Sequence, residues 1–229
     1  MKVNVGKSKV VVYERGLEGC EPIRCGTEEL EEVNSFKYLG CELSKEGGMK
    51  VEIAQRVSEG NKLAGVLRLL WQNRSLSRQA KVKMYEGIVV PSMINGSETW
   101  NMSASDRTRL EVVEMKCLRG ICGLTRLDRV RNIDIRTRCE LGVSIGTKVE
   151  KNILRWFGHV ERMTDERLVK KVYKSTMDGD RGRGRPRKRW RDCVKEYVEK
   201  RGVNWAGVEE RANDRNEWRG IWMGSCVAK

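Results

Sequence analysis

Hydrophobic and polar residues follow two different rhythms along this chain of 229 residues. Near the start, β-branched and aromatic residues gather in short runs, Val10 to Tyr13 and Val33 to Leu43, which read as two strand regions. Glu21 to Glu32 lies between them. It is acidic and holds Pro22 and Gly26, so a loop is expected there. Lys45-Glu46-Gly47-Gly48 ends the strand region. After Gly48 the period lengthens. Ile53, Val57, Gly60, Ala64, Leu67 and Trp71 recur three or four apart, which is one face of a long helix. Gly60 and Ala64 on that face let a second helix come close. Glu52, Arg56, Glu59 and Lys62 fall on the opposite face.

Ser77 is the expected N-cap of a second helix with Ala80, Met84 and Ile88 on one side, and Pro91 should kink or end it. Ser103 and Asp106 have capping-box spacing. Leu110, Val113, Cys117 and Ile121 form the stripe of a third helix that Gly123 stops. Helices joined by short loops make a bundle. From Asp128 the pattern stays helical but becomes arginine-rich, with Arg126, Arg129, Arg131, Arg136 and Arg138. Ile145, Val149, Ile153, Trp156, Val160 and Met163 form a further stripe, which places Trp156 and Phe157 in the core. The alternative for these two rings is stacking on bases. The tail, Val203 to Trp222, puts Trp205, Val208, Ala212, Arg215 and Trp222 on one side of a helix. The expected fold is mainly α with a small β part (α+β). Its regions are 1–47 (short strands), 48–125 (helical bundle), 126–177 (arginine-rich helices), 178–189 (basic linker) and 190–229 (carboxy-terminal helices).

Charge narrows the choice of partners. The net charge is +14, which favours a polyanion, because cationic side chains release counterions from a phosphate backbone. No apolar run approaches the roughly 20 residues of a membrane span, and no signal peptide opens the chain. The expected location is therefore intracellular, nuclear or cytoplasmic, without secretion and without a membrane partner. The eight cysteines read as reduced thiols, with Cys117 on an apolar helix face. Cys-x-x-Cys is absent and His159 is the sole histidine, so neither metal ligands nor cofactor are expected. No Ser or Cys is placed to pair with His159, which reads as a structural residue rather than a catalytic one.

The sharpest local signal is basic. Arg181 to Arg191 holds seven Lys or Arg in eleven residues and no acid, interleaved with Gly182, Gly184 and Pro186. It has no apolar side before Trp190 and should be extended and solvated when free. Arg183-Gly184-Arg185-Pro186 resembles the core of an AT-hook, an arginine strand suited to a narrow minor groove. Phosphate contact, nuclear import and a solvated linker all remain open for this run. Trp190, Cys193 and Tyr197 then open another helix.

Two amino-terminal segments, KVNVGKSKVVV (residues 2–12) and FKYLG (residues 36–40), resemble the last palm motifs of non-LTR retrotransposon reverse transcriptases. GSETW (96–100), LRGICGLTRLDRVRN (118–132), LRWFGHVERM (154–163) and GRGRPRKRW (182–190) resemble the region downstream of that palm, in the same order. The resemblance implies a palm edge followed by a thumb and a basic carboxy-terminal region. Lys7, with Lys9 beside it, matches a lysine near the incoming nucleotide. Phe36, Lys37, Tyr38, Leu39 and Gly40 match the primer grip. The intact family is an RNA-directed DNA polymerase that uses magnesium, held by an Asp-Asp pair and an earlier Asp. No Asp-Asp pair occurs here. The expectation is a truncated copy without catalytic residues that retains non-specific binding to DNA or RNA. Its nucleic-acid-binding residues would be Lys7, Lys9, Phe36, Lys37, Tyr38, Leu39 and Gly40, with Arg181, Arg183, Arg185, Arg187, Lys188, Arg189 and Arg191 as the main contact. The alternatives are a domesticated AT-hook-like DNA-binding protein and a helical scaffold.

Overall fold

The computed structural model describes residues 4–12, 22–38, 40–45, 49–175 and 188–224. They form two compact units, Met1–Ser58 and Glu59–Lys229. Helix dominates and the strands are few and short, so the chain is mainly α with a small β part.

In the first unit the described strands are β1 (Lys9–Val10), β2 (Arg24–Cys25), β3 (Glu28–Glu29), β4 (Glu31–Glu32), β5 (Ser35–Tyr38) and β6 (Cys41–Ser44). They make three two-stranded ladders. β1 pairs in parallel with β4, Lys9 opposite Glu31, while β2–β3 and β5–β6 are antiparallel. The stretch expected as a loop thus carries strands. Gly26 takes φ +69°, which closes the tight β2–β3 turn, and an Arg24–Glu29 ion pair at 2.6 Å links its arms. The first expected strand, Val10 to Tyr13, overlaps β1 at Val10 alone among the described residues, and Tyr13 lies outside them.

α1 (Met49–Val66) begins in the first unit and ends in the second, and α2 (Arg68–Gln72) follows after a break at Leu67. The predicted face is buried at Ile53, Gly60, Ala64, Leu67 and Trp71. Gly60 is needed there, since a Cβ would stand 2.7 Å from Met93 and 3.1 Å from Val113. Glu52 and Arg56, expected on the outer face, are instead buried at 2% and 5% exposure.

The second helix of the bundle differs from its expectation in an instructive way. α3 (Arg78–Met84), capped by Ser77 Oγ accepting from the Ala80 amide, runs into a π turn (Tyr85–Val89) and on into α4 (Val90–Ile94). Pro91 neither ends nor breaks the run. The wide turn, with the Val90 amide donating to the Tyr85 carbonyl, accommodates the ring that would clash in a regular helix. The buried face runs through Lys81, Tyr85, Val89 and Met93, one residue on from the expected Ala80, Met84 and Ile88, and Ile88 is exposed.

α5 (Ala104–Cys122) follows its expectation closely. Ser103 and Asp106 form the reciprocal capping box, Leu110, Val113, Cys117 and Ile121 are buried, and Gly123 at φ +66° ends the helix. Burial pushes the Cys117 thiol up to about 11. Glu114 on the same helix is 1% exposed and accepts from Arg136 (2.6 Å), the Ile145 amide (2.9 Å) and Tyr85 Oη (3.4 Å). Burial, then the Glu114 charge, drives the Tyr85 phenol far above its ordinary value. This carboxylate ties α5 to α6 (Asn132–Arg138) and to the start of α7 (Ile145–Glu161), where a helix N-terminus favours negative charge.

α7 is the centre of the carboxy-terminal half, with α8 (Leu168–Lys174), α9 (Trp190–Glu199), α10 (Val208–Asn213) and α11 (Arg215–Met223) packed against it or its neighbours. Phe157, not Trp156, is the anchor. It is fully buried, with the rings of Tyr173, Trp190, Trp205 and Trp218 at 5.3–6.3 Å. Trp156 is half-exposed and lies against an exposed His159 at 5.2 Å. The tail is two helices rather than one, because Asp214 caps α11 by accepting from the Asn216 and Glu217 amides. Trp218 takes the core place expected of Trp222, and Arg215 is exposed. Trp218 Nε1 donates to the Leu154 carbonyl at 2.8 Å, and its ring occupies the space a side chain at Gly158 would need.

Candidate nucleic-acid interface

The β5–β6 hairpin carries the grip-like residues. Side chains alternate across a strand, so Phe36 and Tyr38 share one face with their partners Leu43 and Cys41, and Lys37 lies on the other. Tyr38 and Lys37 are exposed, and Phe36 is half-buried. Gly40 closes the turn at φ +86°, where a Cβ would be strained, while Leu39 lies outside the described residues. The turn is fixed from below by a residue the sequence pattern had placed outside. Arg56 donates from Nη2 to the Gly40 carbonyl at 2.7 Å and from Nε to Glu52 at 2.7 Å. The only sequence signal for this was the i, i+4 spacing of an acid and an arginine one position off the apolar face. Lys7 is exposed in a short 3₁₀ turn (Val5–Lys7), whereas Lys9 is ion-paired with Glu31.

The arginine-rich stretch divides into free and engaged cations. Residues Thr125 to Arg131 form a loop rather than the expected helix, organised by Asp128, whose carboxylate accepts from the Thr125 amide (2.6 Å) and hydroxyl (2.8 Å). Those bonds hold the Asp128 carboxyl below its usual range. Arg126, Arg129 and Arg131 are exposed, with no carboxylate partner among the described residues. Arg136 is held by Glu114.

Of the basic run, Arg181, Arg183, Arg185 and Arg187 lie outside the described residues. Its downstream end is anchored. Trp190 Nε1 donates to the Glu98 carbonyl at 2.9 Å, and Asn101 Nδ2 donates to the Lys188 carbonyl. The GSETW segment is therefore a joint. Gly96 is left-handed at φ +76°, Ser97 accepts from Asn152 on α7 at 2.9 Å, and Trp100 is buried. Lys188 pairs with Glu196 at 2.5 Å, and the Arg189 amide caps α9 by donating to Asp192 at 2.7 Å. Arg191 sits over the Tyr173 and Trp205 rings, 5.7 and 5.6 Å from their centroids, and pairs with Glu209 at 2.6 Å. These three residues order the exit of the basic run.

Among the described residues, no three of His, Cys, Asp and Glu gather where they could hold a metal ion, and no helix is long and apolar enough to cross a membrane.

Comparison with known proteins finds a putative uncharacterized transposon-derived protein of Caenorhabditis elegans, 24% identical over 245 residues that cover 96% of this chain and 82% of that protein. A second relative is the RNA-directed DNA polymerase from mobile element jockey of Drosophila funebris, 26% identical over 154 residues, 66% of this chain. The chain is a homologue of transposable-element proteins. This retrotransposon-related chain spans most of the nematode relative but only 16% of the jockey polymerase. No family model matches it, and no solved structure does.

Proposed function

We propose that this chain is a nucleic-acid-binding portion of a non-LTR retrotransposon reverse transcriptase, comprising grip, thumb-like helices and a basic carboxy-terminal run, without the polymerase's metal-binding aspartates. The observation that carries the reading is the β5–β6 hairpin in a homologue of the jockey polymerase. Lys37 and Tyr38 are exposed on a turn that Arg56 fixes. Binding works by neutralising phosphates, with Lys37, Arg126, Arg129, Arg131 and the run Arg181 to Arg191 as contacts and little base readout. No templated nucleotide addition is expected from the 229 residues alone, because they contain no Asp-Asp pair to seat two metals.

The test is the salt dependence of duplex DNA binding. Replacing Arg183, Arg185, Arg187 and Arg189 together by alanine should flatten the slope of log affinity against log salt by about 3.6 if each neutralises one phosphate. An unchanged slope sinks the reading, as does nucleotide addition by the purified chain. The Arg183-Gly184-Arg185-Pro186 sequence also supports a second reading, an AT-hook-like contact. That reading requires a preference for A·T-rich duplex that Arg185→Ala abolishes.

A further inference from the structure

A cationic trough crosses one side of the helical unit, and of the contacts named above only Arg126 lines it. Its first part is a groove of about 870 Å³ between α2 and the end of α5. Arg68, Arg74, Lys81 and Lys116 line it, and its lining contains no Asp or Glu. Arg68 and Arg74 are exposed and have no carboxylate partner among the described residues. Lys81 is 7% exposed and donates to the Trp71 carbonyl at 2.7 Å, and it has no carboxylate partner among the described residues. Trp71 also lines the groove. It is 4% exposed, and its indole N–H meets no acceptor among the described residues. A buried donor without a partner is costly in a folded protein, and a ligand oxygen would relieve it. Gly120 allows this arrangement, since a Cβ there would stand 3.1 Å from the indole.

The trough continues into a second groove of about 690 Å³ that shares Lys116, Leu124 and Thr125 and adds Arg119 and Arg126. Its one acid, Glu111, is turned to Arg107 at 3.3 Å. The carbonyls at the end of α5 would oppose an anion here, but the Gly123 and Leu124 amides already cap them. Two adjoining grooves with cations spaced along both suit a chain of anions better than a single one.

We propose that this trough binds the backbone of a single nucleic-acid strand, with Arg68, Arg74 and Lys116 on successive phosphates and the Trp71 indole N–H donating to an oxygen of the strand. The proposal rests on the nucleic-acid reading above and adds to it a site that the basic run does not supply.

The experiment uses the full chain, a fluorescein-labelled single-stranded oligonucleotide, and variants whose substitutions are exposed and leave the circular dichroism unchanged. Arg68→Ala/Arg74→Ala should flatten the salt slope by about 1.4, two phosphates of a single strand. Arg68→Lys/Arg74→Lys should restore the slope. Cys122 lines the first groove and reports on its occupancy. Its maleimide alkylation, followed by peptide mass spectrometry, should slow when the oligonucleotide is present, and inorganic phosphate at the same phosphate concentration should not slow it. An oligonucleotide that binds with an unchanged slope in the alanine pair and leaves Cys122 unprotected overturns the trough while the nucleic-acid reading stands. Absence of any oligonucleotide binding at low salt overturns both. Protection by polyglutamate but not by the oligonucleotide would assign the trough to an acidic peptide and overturn the proposal as well.

Discussion

The two units obtain their order in opposite ways. In the first, the described strands are two to four residues long, and β3 and β4 are each an exposed Glu-Glu pair. Cross-strand ion pairs such as Arg24–Glu29 lie in solvent, where such pairs contribute about 0.2–1 kcal/mol. What fixes the β5–β6 turn there is one buried arginine, Arg56. In the second, order comes from volume. Phe157 is enclosed by four aromatic rings, and Gly158 gives up its side chain so that Trp218 can fit. A polar tether localises one turn, whereas close packing makes a whole unit cooperative.

The largest effect should come from breaking the packed side. Phe157→Ala removes the ring that all four neighbours touch and should cost about 4 kcal/mol, read as a fall in urea midpoint and a loss of amide protection throughout α7, α9 and α11. A loss confined to α7 would show that the aromatic cluster is not one cooperative core. On the tethered side the effect should be smaller and local. Arg56→Ala removes the donor to Gly40 and one partner of the buried Glu52, at a cost of about 2 kcal/mol. Exchange of the Lys37 to Cys41 amides should accelerate, and affinity for primer-template duplex should fall with the helical unit's melting unchanged. Unaltered exchange at those amides would mean that Gly40's own turn geometry suffices.

What the sequence disclosed follows the same division. α5 could be read in full because its signals are local, with Ser103 and Asp106 at one end, Gly123 at the other and an apolar stripe between. The stripe of α7 placed both Trp156 and Phe157 in the core, since both lie within one turn of Ile153, yet only Phe157 is buried. The choice is made by Trp190, Trp205 and Trp218, which arrive from far along the chain. Pro91 misled because its clash is relieved by a π turn that no residue announces. The basic run was visible as composition, but which cations are free was not. Arg136 and Arg191 are engaged by Glu114 and Glu209, and the freedom of Arg126, Arg129 and Arg131 depends on a loop where a helix was expected. Burial of Arg56 was hidden for the same reason, because an arginine beside an apolar face looks like any solvated one.

The smallest expected effect tests whether the exit of the basic run behaves like the tethered side or the packed one. Glu196 bridges Lys188 at 2.5 Å and Lys200 at 2.8 Å. Hydrogen bonds from Lys188, then from Lys200, hold its carboxyl below the ordinary 4.5. A lowered folded value means the bridge adds stability above pH 4.5, and that stability is lost as pH falls through the lower folded value. All three side chains are well exposed, so the contribution should stay below about 1 kcal/mol and shrink with salt. Glu196→Gln should therefore lower the melting temperature slightly at neutral pH and not at all at strongly acidic pH. It also releases Lys188. If that lysine then reaches a phosphate, the salt slope for duplex binding should steepen by about 0.9. A melting difference that persists unchanged into acid would mean that Glu196 acts through packing, and the exit of the run would then belong with the aromatic core.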